Sequence, residues 1–145
     1  MYDVVPFDAL NVGDRASMSK TVTEADGALY IAATGDFGPV HIDEAYAGNT
    51  RFGQRLAPGI MIAGLCTSVL TAELAGVLGI SIDDQFWFTG PVFYGDTLKV
   101  DVWIAERHDE TRTLVWEGSA TNEDGREVLK ARATLKYPRK KPAIQ

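Results

Sequence analysis

The sequence predicts a single domain of mixed α and β structure, in which an antiparallel sheet covers a buried central helix. From Gly59 to about Leu78 the chain is apolar on almost every side of a helix, so other elements must enclose it. From residue 84 onward, apolar and polar residues alternate with a period of two, which is typical of strands with one buried face. That apolar face needs a cover, and the central helix is the element available to provide it.

The size and composition of the chain fit this architecture. Its 145 residues are enough for one hydrophobic core and too few for two, so we expect one domain over residues 1–145. Hydrophobic residues make up 46% of the chain and charged residues 23%, as in an ordinary globular protein. The formal charge of −6 argues against general nucleic-acid binding, which needs a basic surface, but it leaves room for a local basic pocket.

An edge strand and an amphipathic helix are predicted before the central helix. The strand is a short alternating stretch over residues 17–22. The helix runs from about Glu24 to Ala33, with Thr23 as its N-cap and Gly35 in the left-handed position after its end. Its predicted apolar face comprises Ala25, Ala28, Leu29, Ala32 and Ala33.

Four strands are predicted after the central helix. Their apolar positions are Phe86 and Phe88; Leu98, Val100, Val102 and Ile104; Leu114 and Trp116; and Leu129, Ala131, Ala133, Leu135 and Tyr137. The connectors at 107–110 and 122–125 are short, and the second ends in an Asp-Gly pair suited to a left-handed turn. The last three strands should therefore form an antiparallel meander.

The segment between the two helices carries the side chains best suited to chemistry. Asp36 and His41 lie five residues apart around a Gly-Pro pair, where we expect Pro39 to keep the chain out of a helix and Gly38 to permit a tight bend. Such a bend can aim a carboxylate and an imidazole at one water molecule, as reversible addition or removal of water requires. Asp43 is better suited to capping a short helical turn than to catalysis.

Other chemical groups are few. His108 falls in a predicted turn and should be exposed, whereas Cys66 lies in an apolar run and should belong to the core. A single cysteine allows no internal disulfide, and two histidines with one cysteine make no zinc ligand set. Phosphate-loop, dinucleotide-binding and nucleophile-elbow patterns do not occur, so we expect no metal and no cofactor.

The ends of the chain and its apolar helix bear on location. The first residues carry acids where a secretory signal has basic residues, and no long apolar region follows them. The central helix is long enough to span a membrane, but polar residues interrupt it and strands follow at once. We therefore expect a cytoplasmic protein without a membrane segment.

Three segments of the chain share one further pattern. They are G-D-F-G-P-V-H-I-D at 35–43, R-F-G at 51–53 followed by A-P-G-I-M at 57–61, and G-P-V-F-Y-G-D at 90–96. Together they resemble the hydratase motif of the MaoC-like (R)-specific enoyl-CoA hydratases, and the order of elements agrees over most of the chain. The resemblance implies the hot-dog fold. Two positions depart from the family pattern, namely Gly38, where Asn is usual, and Pro58, where His is common.

The resemblance also implies an activity and a role for each site residue. Asp36 and His41 would hold a water molecule and add it to a trans-2-enoyl-CoA to give the (R)-3-hydroxyacyl-CoA, or remove it in reverse. In this hypothesis Asp36 takes a proton from the water and His41 helps to deliver one to the α-carbon. The Gly59 amide, at the start of the central helix, forms the oxyanion hole. The Thr67 hydroxyl helps to orient the acid, unless it bonds only to its own helix.

The implied substrate is an acyl-CoA or acyl-carrier-protein thioester, and the implied assembly is at least a homodimer, with Tyr94 and Trp103 as candidate contact residues. Two alternative functions stay open. A hot-dog thioesterase would direct the water at the thioester carbonyl, although the presence of His41 after the acid disfavours this. A non-catalytic acyl-thioester binding or assembly subunit is the second alternative, because the departures at Gly38 and Pro58 allow the fold without the chemistry.

Overall fold

A five-stranded antiparallel sheet packs against one long helix in the computed structural model, which describes residues 4–139. The outermost residues of the predicted 1–145 domain lie outside this range. The strands lie side by side in the order β1-β3-β4-β5-β2. Their bounds are β1 Arg15–Thr21, β2 Ile80–Phe88, β3 Thr97–His108, β4 Thr113–Thr121 and β5 Glu127–Lys136.

The sheet confirms most of the strand predictions. β1 lies at one edge, and β3, β4 and β5 form the predicted meander. Gly125 has a φ of 76° in the last turn, as its position after an aspartate indicates. β2 forms the other edge and begins at Ile80, earlier than the alternation at residues 86–88 suggests. Almost all of its residues are exposed on both faces, so burial imposes no clear period on its sequence.

The first helix, α1 (Glu24–Thr34), begins and ends as predicted. Thr23 caps it reciprocally: the Thr23 hydroxyl accepts from the N–H of Asp26, and the Asp26 carboxylate accepts from the N–H of Thr23 at 2.8 Å. Gly35 follows with a φ of 75°, the left-handed conformation that glycine adopts without strain. This turn at Gly35 therefore sets the direction in which the chain continues from the helix to Asp36.

The buried face of α1 differs from the prediction. The predicted face is exposed, with Leu29 72% exposed, and the helix instead buries Gly27 and Ile31. A Cβ at Gly27 would lie 2.5 Å from Cε1 of Tyr94, so the missing side chain allows the helix to sit directly on that ring. The alanine pattern was misleading because small apolar residues tolerate exposure and carry little information about burial.

Two short helices follow, and they correct the expectation about Pro39. Pro39 begins a helix rather than preventing one, because a proline fits the first helical position, where its missing N–H is not needed. Gly38 has a φ of −54°, which any residue adopts, so the bend itself does not require glycine. Asp43 caps the second helix as predicted, accepting from the N–H of Tyr46 at 2.9 Å. The helices are α2 (Pro39–Ile42) and α3 (Glu44–Gly48).

The central helix, α4 (Gly59–Val69), continues as a π-helical turn over Leu70–Leu74. It ends before the predicted Leu78, because Gly76 turns the chain with a φ of 64°. One side of α4 faces the sheet, but the other side is not fully enclosed, since Ile60 is 57% exposed. Within residues 4–139, no helix is both long and apolar enough to cross a membrane.

The core lies between α4 and the inner face of the sheet. Its largest fully buried side chains include Trp116, Tyr137, Phe7, Ile62, Leu98, Ile104, Leu114 and Leu129. Cys66 is fully buried among them, which confirms its predicted place, and burial raises the pKa of its thiol to about 12. The Tyr137 hydroxyl donates to the carbonyl of Ala75 at 3.0 Å and so ties the end of the sheet to the end of the helix.

Candidate active site

His41 stands on α2 and lines a cavity of about 170 Å³. Its Nδ1 lies 2.8 Å from the carbonyl oxygen of Leu56. Because a carbonyl oxygen only accepts, Nδ1 carries the hydrogen, and Nε2 of the neutral ring is left as an acceptor. Leu56 is itself fixed, since its N–H donates to the carbonyl of Val40 at 3.0 Å and it bridges to Phe93.

Asp36 lies next to the free nitrogen of this ring. Its Oδ2 is 4.0 Å from Nε2 of His41. That separation is too long for a direct hydrogen bond, but it suits a bridging water, because two hydrogen bonds of about 2.8 Å that meet on one oxygen span about 4 to 5 Å. The Asp36 side chain is 48% exposed and that of His41 is 17% exposed, so the carboxylate lies at the mouth and the imidazole lies inside.

Gly59 lines the same cavity as His41. It is the first residue of α4, where backbone N–H groups have no acceptor within the helix and carry partial positive charge. A Cβ at Gly59 would lie 3.0 Å from Cε1 of Phe88, so glycine lets the aromatic ring approach the start of the helix closely. The structure thus brings two of the predicted site residues, His41 and Gly59, to one cavity, and it places Asp36 next to His41.

The rest of the cavity is apolar. The loop before α4, the end of β2 with the loop that follows it, and β5 contribute to its wall. The lining residues other than His41 are Leu56, Ala57, Gly59, Ile62, Phe88, Gly90, Pro91, Val92 and Val128. A pocket with one titratable side chain and an otherwise apolar wall suits an acyl chain with a reactive polar group near its end.

The structure does not bring Thr67 to the pair. Its hydroxyl instead donates to the carbonyl of Gly64 at 2.8 Å, within its own helix. A threonine on a helix readily reaches a carbonyl of the preceding turn in this way. His108 is exposed as predicted, with Nε2 3.1 Å from a carboxylate oxygen of Glu106. Within residues 4–139, no group of three or more His, Cys, Asp or Glu is placed to hold a metal ion.

Gly38, which departs from the family pattern, lies against both members of the pair. A Cβ built there would be 3.2 Å from Cδ2 of His41 and 3.4 Å from Oδ1 of Asp36. The glycine therefore widens the mouth of the site without displacing either group. Pro58 is the N-cap of α4 and makes no side-chain capping bond, so the helix amides have no competing side-chain acceptor there.

Sequence reasoning missed two features of the site. The Leu56 carbonyl is a backbone group, so its role depends on how the loop folds and leaves no mark in residue type. Phe88 was recognised only as a strand residue. Its position at the end of a predicted strand, next to the Gly-Pro pair at 90–91, is the signal that was available in the sequence.

Comparison with known proteins identifies the family of the chain. The MaoC like domain matches residues 11–124. The chain is 35% identical to a 3-hydroxybutyryl-CoA dehydratase of Methylorubrum extorquens over 97% of this chain and 88% of that one. It is 31% identical to an (R)-specific enoyl-CoA hydratase of Rhodospirillum rubrum over 91% of each chain.

Solved structures give the same result. The R-hydratase PhaJ1 of Pseudomonas aeruginosa superposes with a TM-score of 0.84 at 30% identity, covering 97% of this chain and 95% of that one. The (R)-hydratase of Aeromonas caviae superposes with a TM-score of 0.85 at 28% identity, covering 90% and 98%. The chain therefore has the hot-dog fold and belongs to the MaoC-like family.

Proposed function

We propose that this protein reversibly adds water to a trans-2-enoyl thioester to give the (R)-3-hydroxyacyl thioester. The observation that carries the proposal is the 4.0 Å separation of Asp36 Oδ2 and His41 Nε2 at the mouth of an apolar cavity that also contains the start of α4. The similarity to chains named as hydratases and a dehydratase supports the same reaction class.

The pair is suited to holding one water molecule by both of its hydrogens. The carboxylate of Asp36 accepts one hydrogen. Nε2 of His41 accepts the other, because Nδ1 keeps its own hydrogen on the Leu56 carbonyl. A water held in this way directs an oxygen lone pair away from both groups, towards the substrate.

Addition of water then forms a C–O bond at the β-carbon and a C–H bond at the α-carbon, and one proton moves from the water to the α-carbon. The water oxygen bonds to the β-carbon, the double-bond electrons move onto the thioester as an enolate, and the pair takes up the released proton. The same proton returns from the pair to the α-carbon. Neutral His41 brings no hydrogen on Nε2, so it can deliver a proton only after one has left the water. This refines the separate roles proposed from the sequence.

The enolate oxygen requires stabilisation while it carries charge. We propose that the amide of Gly59 donates to it, assisted by the dipole of α4, in a cavity whose wall is mostly apolar. An amide in this position binds the negatively charged enolate oxygen more strongly than the neutral carbonyl oxygen of the resting substrate, and this difference is the condition for raising kcat.

An assay with crotonyl-CoA separates this function from its two alternatives. A hydratase consumes the enoyl absorbance without releasing thiol, whereas a thioesterase releases thiol that a disulfide reagent detects. The buried thiol of Cys66, with its pKa raised to about 12, should not react in the folded protein. If the enoyl absorbance persists and no thiol is released, the proposal is contradicted. A binding or assembly subunit would then be the explanation.

We also propose that the protein acts as a homodimer joined through the free edges of β2. That edge has no strand beyond it in the described sheet, and Ile80, Ile82, Trp87 and Phe88 are 65%, 61%, 48% and 51% exposed there. Unpaired edges with exposed apolar side chains are suited to pairing with another chain. Tyr94, a contact candidate from the sequence, packs against Gly27 inside the protomer instead.

Sedimentation or light scattering tests the dimer. Ile82→Lys places a charge on the β2 edge and should shift the mass towards a monomer. Val12→Lys is the matched control, because Val12 is 60% exposed but precedes β1, at the opposite edge of the sheet. A monomeric parent protein, or equal behaviour of both variants, would contradict the assembly.

A further inference from the structure

A second cleft, of about 330 Å³, adjoins the catalytic cavity. Four residues line both spaces and form one wall that runs along them: Leu56, Phe88, Gly90 and Pro91. Beyond this wall the second cleft leads to Arg51 and Phe52, in the loop between α3 and α4. A ligand with its reactive end beside His41 can therefore continue along the shared wall towards that loop.

Arg51 is the basic side chain of this second cleft. Its guanidinium carbon lies 4.8 Å from the centre of the Phe52 ring, which supports the flat cation on one face. Among residues 4–139, no carboxylate lies within 4.0 Å of the Arg51 side chain, and the residue is exposed.

The next arginine in the same loop shows the contrast. Arg55 forms ion pairs with Glu24 and Glu44, and its guanidinium lies 5.5 Å from the centre of the Tyr94 ring. Its charge is thus used in joining the loop to α1 and α3. Arg51 has no such carboxylate partner in the described part of the chain, which leaves its donors available to an anionic ligand on a protein whose formal charge is −6.

We infer that Arg51 binds a phosphate of the arm that carries the acyl group, so that the pantetheine part of the substrate lies along the cleft between Phe88 and Arg51. This inference rests on the proposed function, because a thioester at His41 sets the direction of the arm. The chemistry recognised is a phosphate ester attached to pantetheine. Coenzyme A and acyl carrier protein both present that group.

Binding of saturated thioesters tests this without turnover. We would measure the affinities of butyryl-CoA and butyryl-pantetheine, which lacks phosphate, for the parent protein and for Arg51→Gln by titration calorimetry. The parent should bind butyryl-CoA more tightly than butyryl-pantetheine. In Arg51→Gln, loss of one charge-assisted contact at an exposed site should lower the affinity for butyryl-CoA about 10-fold. The affinity for butyryl-pantetheine should not change. Arg51→Lys should recover part of the loss, and higher salt should reduce the difference.

Arg15→Gln is the control for net charge. Arg15 is exposed at the start of β1, on the sheet edge opposite β2, so its loss should change neither affinity. Butyryl-phosphopantetheine distinguishes the two sources of phosphate. If its binding depends on Arg51, the contact is to the phosphate that CoA and carrier protein share. If only butyryl-CoA depends on Arg51, the contact is to the remaining phosphates of CoA.

Two results would overturn the inference. Equal weakening of butyryl-CoA and butyryl-pantetheine in Arg51→Gln would mean that Arg51 only shapes the loop. Unchanged affinity for both would mean that it touches no phosphate. Failure of the proposed function looks different, because the parent protein would then bind these thioesters without consuming the enoyl absorbance of crotonyl-CoA.

Discussion

The Nδ1 atom of His41 lies 2.8 Å from the carbonyl oxygen of Leu56, and this contact determines which ring nitrogen faces Asp36. With the hydrogen on Nδ1, the neutral ring presents a bare Nε2 to the mouth of the cavity. The loop before α4 therefore sets the tautomer of the neutral His41 ring as well as the shape of the site.

Nitrogen NMR of the labelled protein checks this tautomer. At a pH where the ring is neutral, the His41 signals should show hydrogen on Nδ1 and a free lone pair on Nε2. Exposed His108, the other histidine of the chain, provides the reference, and His41→Gln assigns the signals by their disappearance. A neutral ring with its hydrogen on Nε2 would contradict the water geometry proposed above.

Gly59→Val should reduce kcat by about 10²- to 10³-fold with a native circular dichroism spectrum, because the side chain pushes the thioester away from the helix amide. The new Cβ would also meet the Phe88 ring, at 3.0 Å. A double variant with Phe88→Ala relieves that contact. If activity stays low in the double variant relative to Phe88→Ala alone, the crowding acts on the substrate. Parent-like turnover of folded Gly59→Val would exclude the oxyanion role.

Gly27→Ala should destabilise the protein although alanine is the better helix former by about 1 kcal/mol. The added Cβ would lie 2.3 Å from the Tyr94 hydroxyl oxygen, so either the ring or the helix must move. Gly48→Ala is the matched control in α3, where a Cβ meets nothing within 4 Å. The free energy of unfolding in urea should be lower for Gly27→Ala than for Gly48→Ala. Equal stability of the two variants would show that α1 does not pack closely against Tyr94.

The Asp26 capping contacts should make stability depend on acid pH. Its pKa falls from 3.8 to about 2, first because the Thr23 N–H donates to the carboxylate and then because of Lys20, 2.9 Å away. A lowered folded-state pKa adds stability above the ordinary value, and this stability is lost as pH falls from about 4 towards 2.

Asp26→Ala should therefore cost about 1 kcal/mol near pH 7. The difference from the parent should shrink between pH 4 and pH 2. Glu110→Ala, in the exposed turn after β3, is the control and should show no such trend. A penalty for Asp26→Ala that is constant down to pH 2 would mean that the carboxylate charge contributes nothing.

The sequence predicted best where one local rule decides the structure. The caps Thr23 and Asp43 occupy helix starts because their side chains satisfy free amides, and alternation marks strands that bury one face. The proximity of Asp36 and His41 could be predicted because only five positions separate them in the chain, and their side chains lie 4.0 Å apart.

Prediction failed where tertiary contacts decide. The buried side of α1 depends on Tyr94, which is distant in sequence and meets Gly27, a residue with no side chain to form a pattern. Pro39 does not break a helix because the clash that excludes proline from helix interiors does not arise at the first helical position.

A double-mutant cycle on the pair tests the central claim most directly. Asp36→Asn and His41→Gln should each lower kcat for crotonyl-CoA hydration by about 10²-fold or more, because an amide can still accept a hydrogen bond from the water but cannot take up its proton. If they act on one water, the double variant should be little worse than either single variant, as groups that work as a unit are strongly non-additive. Losses that multiply would show independent roles and would contradict the account.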